Sequence, residues 1–143
     1  MTDKASENME VMRKIFRAIE DRDMGTLQAL SDPGVEFHWP PSLPYGRDFR
    51  FPEPPDHGTT WVETWLPLQP TEVERRMDPR VVAATDDEVV VLWRQRGVTE
   101  AGDRFDGEVL GLYSLRNRKL VRAQMFYFDG VELSRYLANA RRR

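Results

Sequence analysis

Apolar residues recur at three- and four-residue spacing near the start of the chain, through Met9, Met12, Ile15, Phe16 and Ile19, which predicts an amphipathic helix over 6–22. Asp23 stands where it can cap a shorter helix running to Leu30. Asp32-Pro33-Gly34 is turn chemistry leading into an opening strand, VEFHW. Side chains alternate along a strand, so Glu36 and His38 share one face while Val35, Phe37 and Trp39 share the other. Prolines end that strand. The segment 40–58 contains PSLPYG and FPEPPDHG, is long for a connection, and reads as a lid or binding loop. Thr60 and Glu63 form a capping-box pattern, predicting a short helix from Trp61 that Pro67 stops.

The second half changes period. Strand-like runs over 73–85, 89–96, 105–115 and 120–128 are separated by Asp86-Asp87, VTEAGD and Arg116-Asn117-Arg118, short connectors that favour antiparallel hairpins. A bulge around Met77-Asp78-Pro79 is expected to bend the first of these runs, because proline cannot donate to a central ladder. A final helix is predicted over 131–138. Helices followed by a meander of long strands describe an α+β domain: a strongly curved, mostly antiparallel sheet with helices on its concave side, leaving a conical cavity.

Composition narrows the chemistry. At 143 residues the chain suits one domain over 1–143 with one core, the 40–58 loop being an insertion in it. A net charge of −3, with acids and bases interspersed, speaks against nucleic acid as a partner. The absence of cysteine removes disulfides and thiolate chemistry. No apolar run is long enough to span a membrane and MTDKASENME lacks the order of a signal peptide, so a soluble cytoplasmic protein is expected. Eighteen arginines against three lysines suggest a GC-rich bacterial genome. No HExxH spacing, phosphate loop, dinucleotide fingerprint or GxSxG elbow is found, so neither metal nor cofactor is expected.

Taken in order, NMEVMRKIFRAIEDRD, LSDPGVEFHW, PYG, VVAATDDEVVVLWRQRG and LYSLRNRKLVRAQMFYFD resemble the SnoaL-like polyketide cyclases and ketosteroid isomerases of the nuclear-transport-factor-2-like (NTF2-like) superfamily. The resemblance implies a cone-shaped fold, a homodimer and an internal ligand cavity. It places His38 at the position of the isomerases' carboxylate base. Histidine exchanges protons near neutrality, and Glu36 on the same face would orient it or act beside it, the competing reading being that the two are a partly solvated strand end. The isomerases' oxyanion donors are missing, since the matching positions hold Ile15 or Phe16 and Leu110 or Gly111. Met125 stands where the related epoxide hydrolases carry an aspartate. The alignment turns Ala123, Met125, Tyr127 and Asp129 inward. Expected substrate contacts are therefore Trp39, Tyr45, Trp65, Trp93, Met125, Tyr127 and Asp129, with plain core packing the competing role for the tryptophans and Met125 and capping of the final helix the competing role for Asp129.

An apolar, aromatic pocket with few ionisable groups suits a cyclase that folds a polyketide-derived chain for [4+2] or aldol-type ring closure in antibiotic biosynthesis. The alternatives are an isomerase or dehydratase of a small hydrophobic carbonyl compound with His38 as base, and a non-catalytic binding or dimerisation module.

Overall fold

A computed structural model describes residues 2–43, 48–50 and 68–140. Tyr45, His57, Trp61, Trp65, the expected helix from 61 and most of the proline-rich segment lie outside the described residues. Helix α1 spans Asp3–Asp21. The Thr2 hydroxyl caps it by accepting from the Ala5 amide at 3.1 Å, and Arg22, at φ 58, closes it with its N–H turned back to the Ala18 and Ile19 carbonyls. Its apolar stripe buries Val11, Met12, Ile15 and Phe16. Each such side chain contributes roughly 1.5–3 kcal/mol by leaving water. Helix α2, Met24–Ala29, is capped by Asp23 as its sequence requires, with the Thr26 amide donating to Asp23 Oδ1 at 3.1 Å.

Strand β1 spans Ser31–His38 and so absorbs the turn expected to precede it. The Asp32 carboxylate accepts from the Gly34 amide at 2.8 Å, and the register against the neighbouring strand slips between Ser31 and Glu36. Proline and this local bond make a bulge at the head of the strand. Strand β2, Asp48–Arg50, pairs with β1 inside the proline-rich segment, where no strand was expected. β3 is Arg80–Ala84, β4 Glu88–Val98, β5 Arg104–Arg116 and β6 Lys119–Tyr127. The expected strand from 73 is corrected to this shorter β3. Glu74 accepts from the Thr71 hydroxyl, Arg75 bonds back to the Thr71 carbonyl at 2.9 Å, and Asp78 takes φ 46, so the chain turns before Pro79.

The strands form one curved six-stranded sheet in the order β2-β1-β6-β5-β4-β3, antiparallel except for the parallel β1–β6 pair. Helix α3, Gly130–Ala140, extends beyond the expected 131–138 and buries Leu133, Tyr136 and Leu137. Phe105 on β5 meets Tyr136 with ring centroids 5.8 Å apart. Among the described residues no helix is long and apolar enough to cross a membrane.

Candidate functional site

Alternation and register sort the sheet's side chains into two faces. On β4, β5 and β6 the buried positions Val89, Val91, Trp93, Val109, Tyr113, Ala123 and Met125 share the face turned to α1. Val91, Gly111 and Met125 stand in one cross-strand row, and Trp93, Val109 and Tyr127 in the next. On β1 and just beyond its end the same face carries Val35, Phe37 and Trp39, the last two stacked with centroids 5.5 Å apart and planes 10° from parallel. Of the expected substrate contacts, Trp39, Trp93, Met125 and Tyr127 are thus brought together on the helix-facing side.

Phe16 closes this side from above. Its ring lies 6.0 Å from Trp93 and 5.8 Å from Tyr113, edge-on to the latter. Tyr113 folds back along β5 until its ring and hydroxyl cover Gly111, where any Cβ would collide with them. Burial pushes the Tyr113 phenol well above its usual range; the nearby Trp93 indole N–H partly opposes this, and Tyr127 adds to it. Trp93 Nε1 is buried and has no partner of hydrogen-bond geometry among the described residues. Sequence reasoning missed Tyr113, although the L-G-L-Y-S-L pattern carries the signal: Gly111 and Tyr113 fall on one strand face, a gap beside a large side chain.

The Glu36–His38 pair forms as expected, with His38 Nε2 3.4 Å from Glu36 Oε1. Its place does not match expectation. Val35 is 3% exposed and Trp39 6%, so the face they share is the inner one and His38 lies on the opposite face. There Glu36 stands beside Arg122, and His38 beside Gln124, on β6. His38 opens onto a groove of about 390 Å³ at the end of β1, bordered also by Arg122, Gln124 and Phe126 and by Trp39 and Met125. The imidazole therefore does not reach into the aromatic interior.

Asp129 takes the capping role of its two expected ones. It is exposed, and its Oδ1 accepts from the Glu132 amide at 3.0 Å, so it caps α3 instead of facing ligand. Asp106 and Glu108, spaced two apart like Glu36 and His38, are taken up by cations on the outer face. Arg94 Nε donates to Asp106 Oδ1 at 2.7 Å, and Arg96 reaches Asp106 at 3.4 Å and Asp78 at 2.8 Å. A second groove, of about 670 Å³, runs between α1 and β3, where Asp86 already accepts from Thr2.

No family model and no curated protein sequence matches the chain. Solved structures do. An NTF2-like protein of unknown function from Burkholderia pseudomallei K96243 superposes with a TM-score of 0.65 at 19% identity, covering 92% of this chain and 97% of that one. A SnoaL-like polyketide cyclase candidate from Jannaschia sp. CCS1 gives 0.69 at 13% identity, covering 100% of this chain and 98% of that one. TerC, co-crystallised with polyporic acid, gives 0.66 at 17% identity, covering 92% of this chain and 98% of that one. The chain therefore has the NTF2-like fold.

Proposed function

We propose that the protein is a cyclase that holds a polyketide-derived chain on the helix-facing side of the sheet and brings its reacting carbons together. The observation that carries this reading is the composition of that side. Phe16, Phe37, Trp39, Trp93, Tyr113, Met125 and Tyr127 are apolar or neutral, and the histidine and glutamate nominated as acid and base stand on the opposite face. Such a surface suits a reaction that needs orientation more than proton transfer, and well-oriented intramolecular reactions gain roughly 7–11 kcal/mol from confinement. TerC, co-crystallised with polyporic acid, and the polyketide cyclase candidate from Jannaschia share this fold. A narrower resemblance, to the indane-forming cyclase of indanomycin assembly, fits [4+2] closure, and a bacterial cytoplasmic setting in antibiotic biosynthesis follows with it.

A second reading rests on the groove at the end of β1. It brings His38, paired with Glu36, against Trp39 and Met125, an arrangement for proton transfer on a small hydrophobic carbonyl compound. Mass spectrometry of the linear intermediate accumulating when the gene is deleted, and its conversion by purified protein, tests both. His38→Ala is expected to retain most of the ring-closing rate. A loss of about 10²–10⁴-fold, the range for a general base, transfers the function to the groove.

The outer face also supports a homodimer. Leu110 and Phe126 are cross-strand partners and remain 39% and 48% exposed, a patch that a second copy would cover.

A further inference from the structure

We infer that the groove between α1 and β3 is a docking site for an extended segment of a partner protein, which adds to β3 as a further antiparallel strand and carries two basic residues at its N-terminal end. Among the described residues β3 is an edge strand, paired with β4 alone. A strand in that position presents backbone donors and acceptors that no ladder uses. The hairpin fixes which ones they are. The Thr85 amide donates to the Glu88 carbonyl at 2.8 Å, and Ala84 stands opposite Val89 in the next pair of the ladder. Bonded and non-bonded pairs alternate along an antiparallel ladder, so the Ala84 N–H and C=O point away from β4. The register slips between Val81 and Ala83, and Val82 between them is 50% exposed.

The groove beside this edge is apolar along its length and charged at its ends. Ala5 and Met9 of α1 form one wall and β3 the other, around a volume of about 670 Å³. Bonds to the hairpin hold the two walls in place. Asn8 Nδ2 donates to the Thr85 carbonyl at 3.3 Å and to the Asp86 carbonyl at 2.8 Å, and the Thr2 hydroxyl donates to the Asp86 carboxylate. An edge strand facing a helix across an apolar gap offers an incoming strand main-chain bonds for affinity and a surface for its alternate side chains. Charge sets the chemistry of that strand. Asp86 and Asp87 lie at the hairpin end of the groove and Arg80 at the other end of β3, and among the described residues none of the three has an ion-pair partner. A segment antiparallel to β3 brings its N-terminal end to the two aspartates, where two adjacent lysines or arginines match them. A second copy matches less well: with its Arg80 opposite Asp86, it would set Pro79 and Asp78 against Asp87 and Glu88.

The test uses the full chain and, as probe, the peptide Lys-Arg-Val-Thr-Val-Thr-Val with fluorescein at its C-terminus. Fluorescence polarisation measures affinity, and amide hydrogen exchange read by nuclear magnetic resonance reports where the probe lies. Binding should be saturable. In the complex, exchange at the Ala84 amide should slow by about tenfold or more, while the Ala83 amide, already turned to β4, changes little. Asp87→Lys should weaken binding by up to about tenfold with Tm unchanged, since it removes no side-chain bond made among the described residues. Replacing Lys-Arg in the probe by Glu-Asp should weaken binding by at least as much. Absence of binding, affinity that Asp87→Lys leaves unchanged, or binding without slowed exchange at Ala84 overturns the proposal. So does slow exchange at Ala84 in the protein alone that is lost on dilution, which makes a second copy the occupant.

Discussion

Tyr113 and Tyr136 hold their protons more tightly than free phenols, and both for the same first reason. Burial penalises the phenolate; for Tyr136, whose pKa is pushed up to about 12, the charges of Asp103 and Glu74 add to the effect. Both folded values exceed the unfolded one, so the folded state favours the protonated form. The resulting stability is complete below about pH 10 and is lost as pH rises through the folded values. Denaturant midpoints should therefore hold steady to about pH 9 and fall between about 10 and 12, with a shallower fall in Tyr136→Phe. At the same scale Asp129→Ala should cost about 1 kcal/mol in urea unfolding through its lost cap, and leave probe binding unchanged. Asp129 shows why alternation alone misassigned it: β6 ends at Tyr127, and beyond a strand's end the period of two no longer governs direction.

At the scale of elements, α1 is the piece the sequence states most clearly, because its apolar spacing and its caps agree. Phe16 bridges it to the sheet through Trp93 and Tyr113. Phe16→Ala is expected to destabilise by about 3–5 kcal/mol in equilibrium unfolding, and a loss under about 1 kcal/mol would mean that the aromatic cluster is not close-packed. Strand β1 shows a different limit. Its alternation correctly put Glu36 with His38 and Phe37 with Trp39, but a period of two does not say which face turns inward. That is settled by what packs against the strand, namely the stacked Phe37–Trp39 pair and the core behind it. The run from 73 was misread because the bonds of Thr71, Glu74 and Arg75 compete locally with strand pairing and win.

For the whole molecule, the hairpins β3–β4, β4–β5 and β5–β6 were legible because short connectors force neighbours to pair. The parallel β1–β6 pair was not, since the strands are far apart in sequence and no local signal marks the pairing. This pair joins the two halves of the sheet, sets His38 alongside Gln124 and brings Trp39 and Met125 to the border of one groove. The outer face it completes, with Leu110 and Phe126 exposed, predicts association between copies. Light scattering should give a dimer for the wild type and a monomer for Leu110→Glu, whereas a monomeric wild type would remove that proposal.

Which side of the sheet receives the ligand decides between a chain-folding cyclase and a proton-transfer site. Nuclear magnetic resonance can follow the Trp93 indole N–H, the Met12 methyl and the His38 ring in one titration with 2-acetonaphthone. The first two should shift in proportion to bound probe while the imidazole stays in place; movement of the imidazole alone would contradict the account.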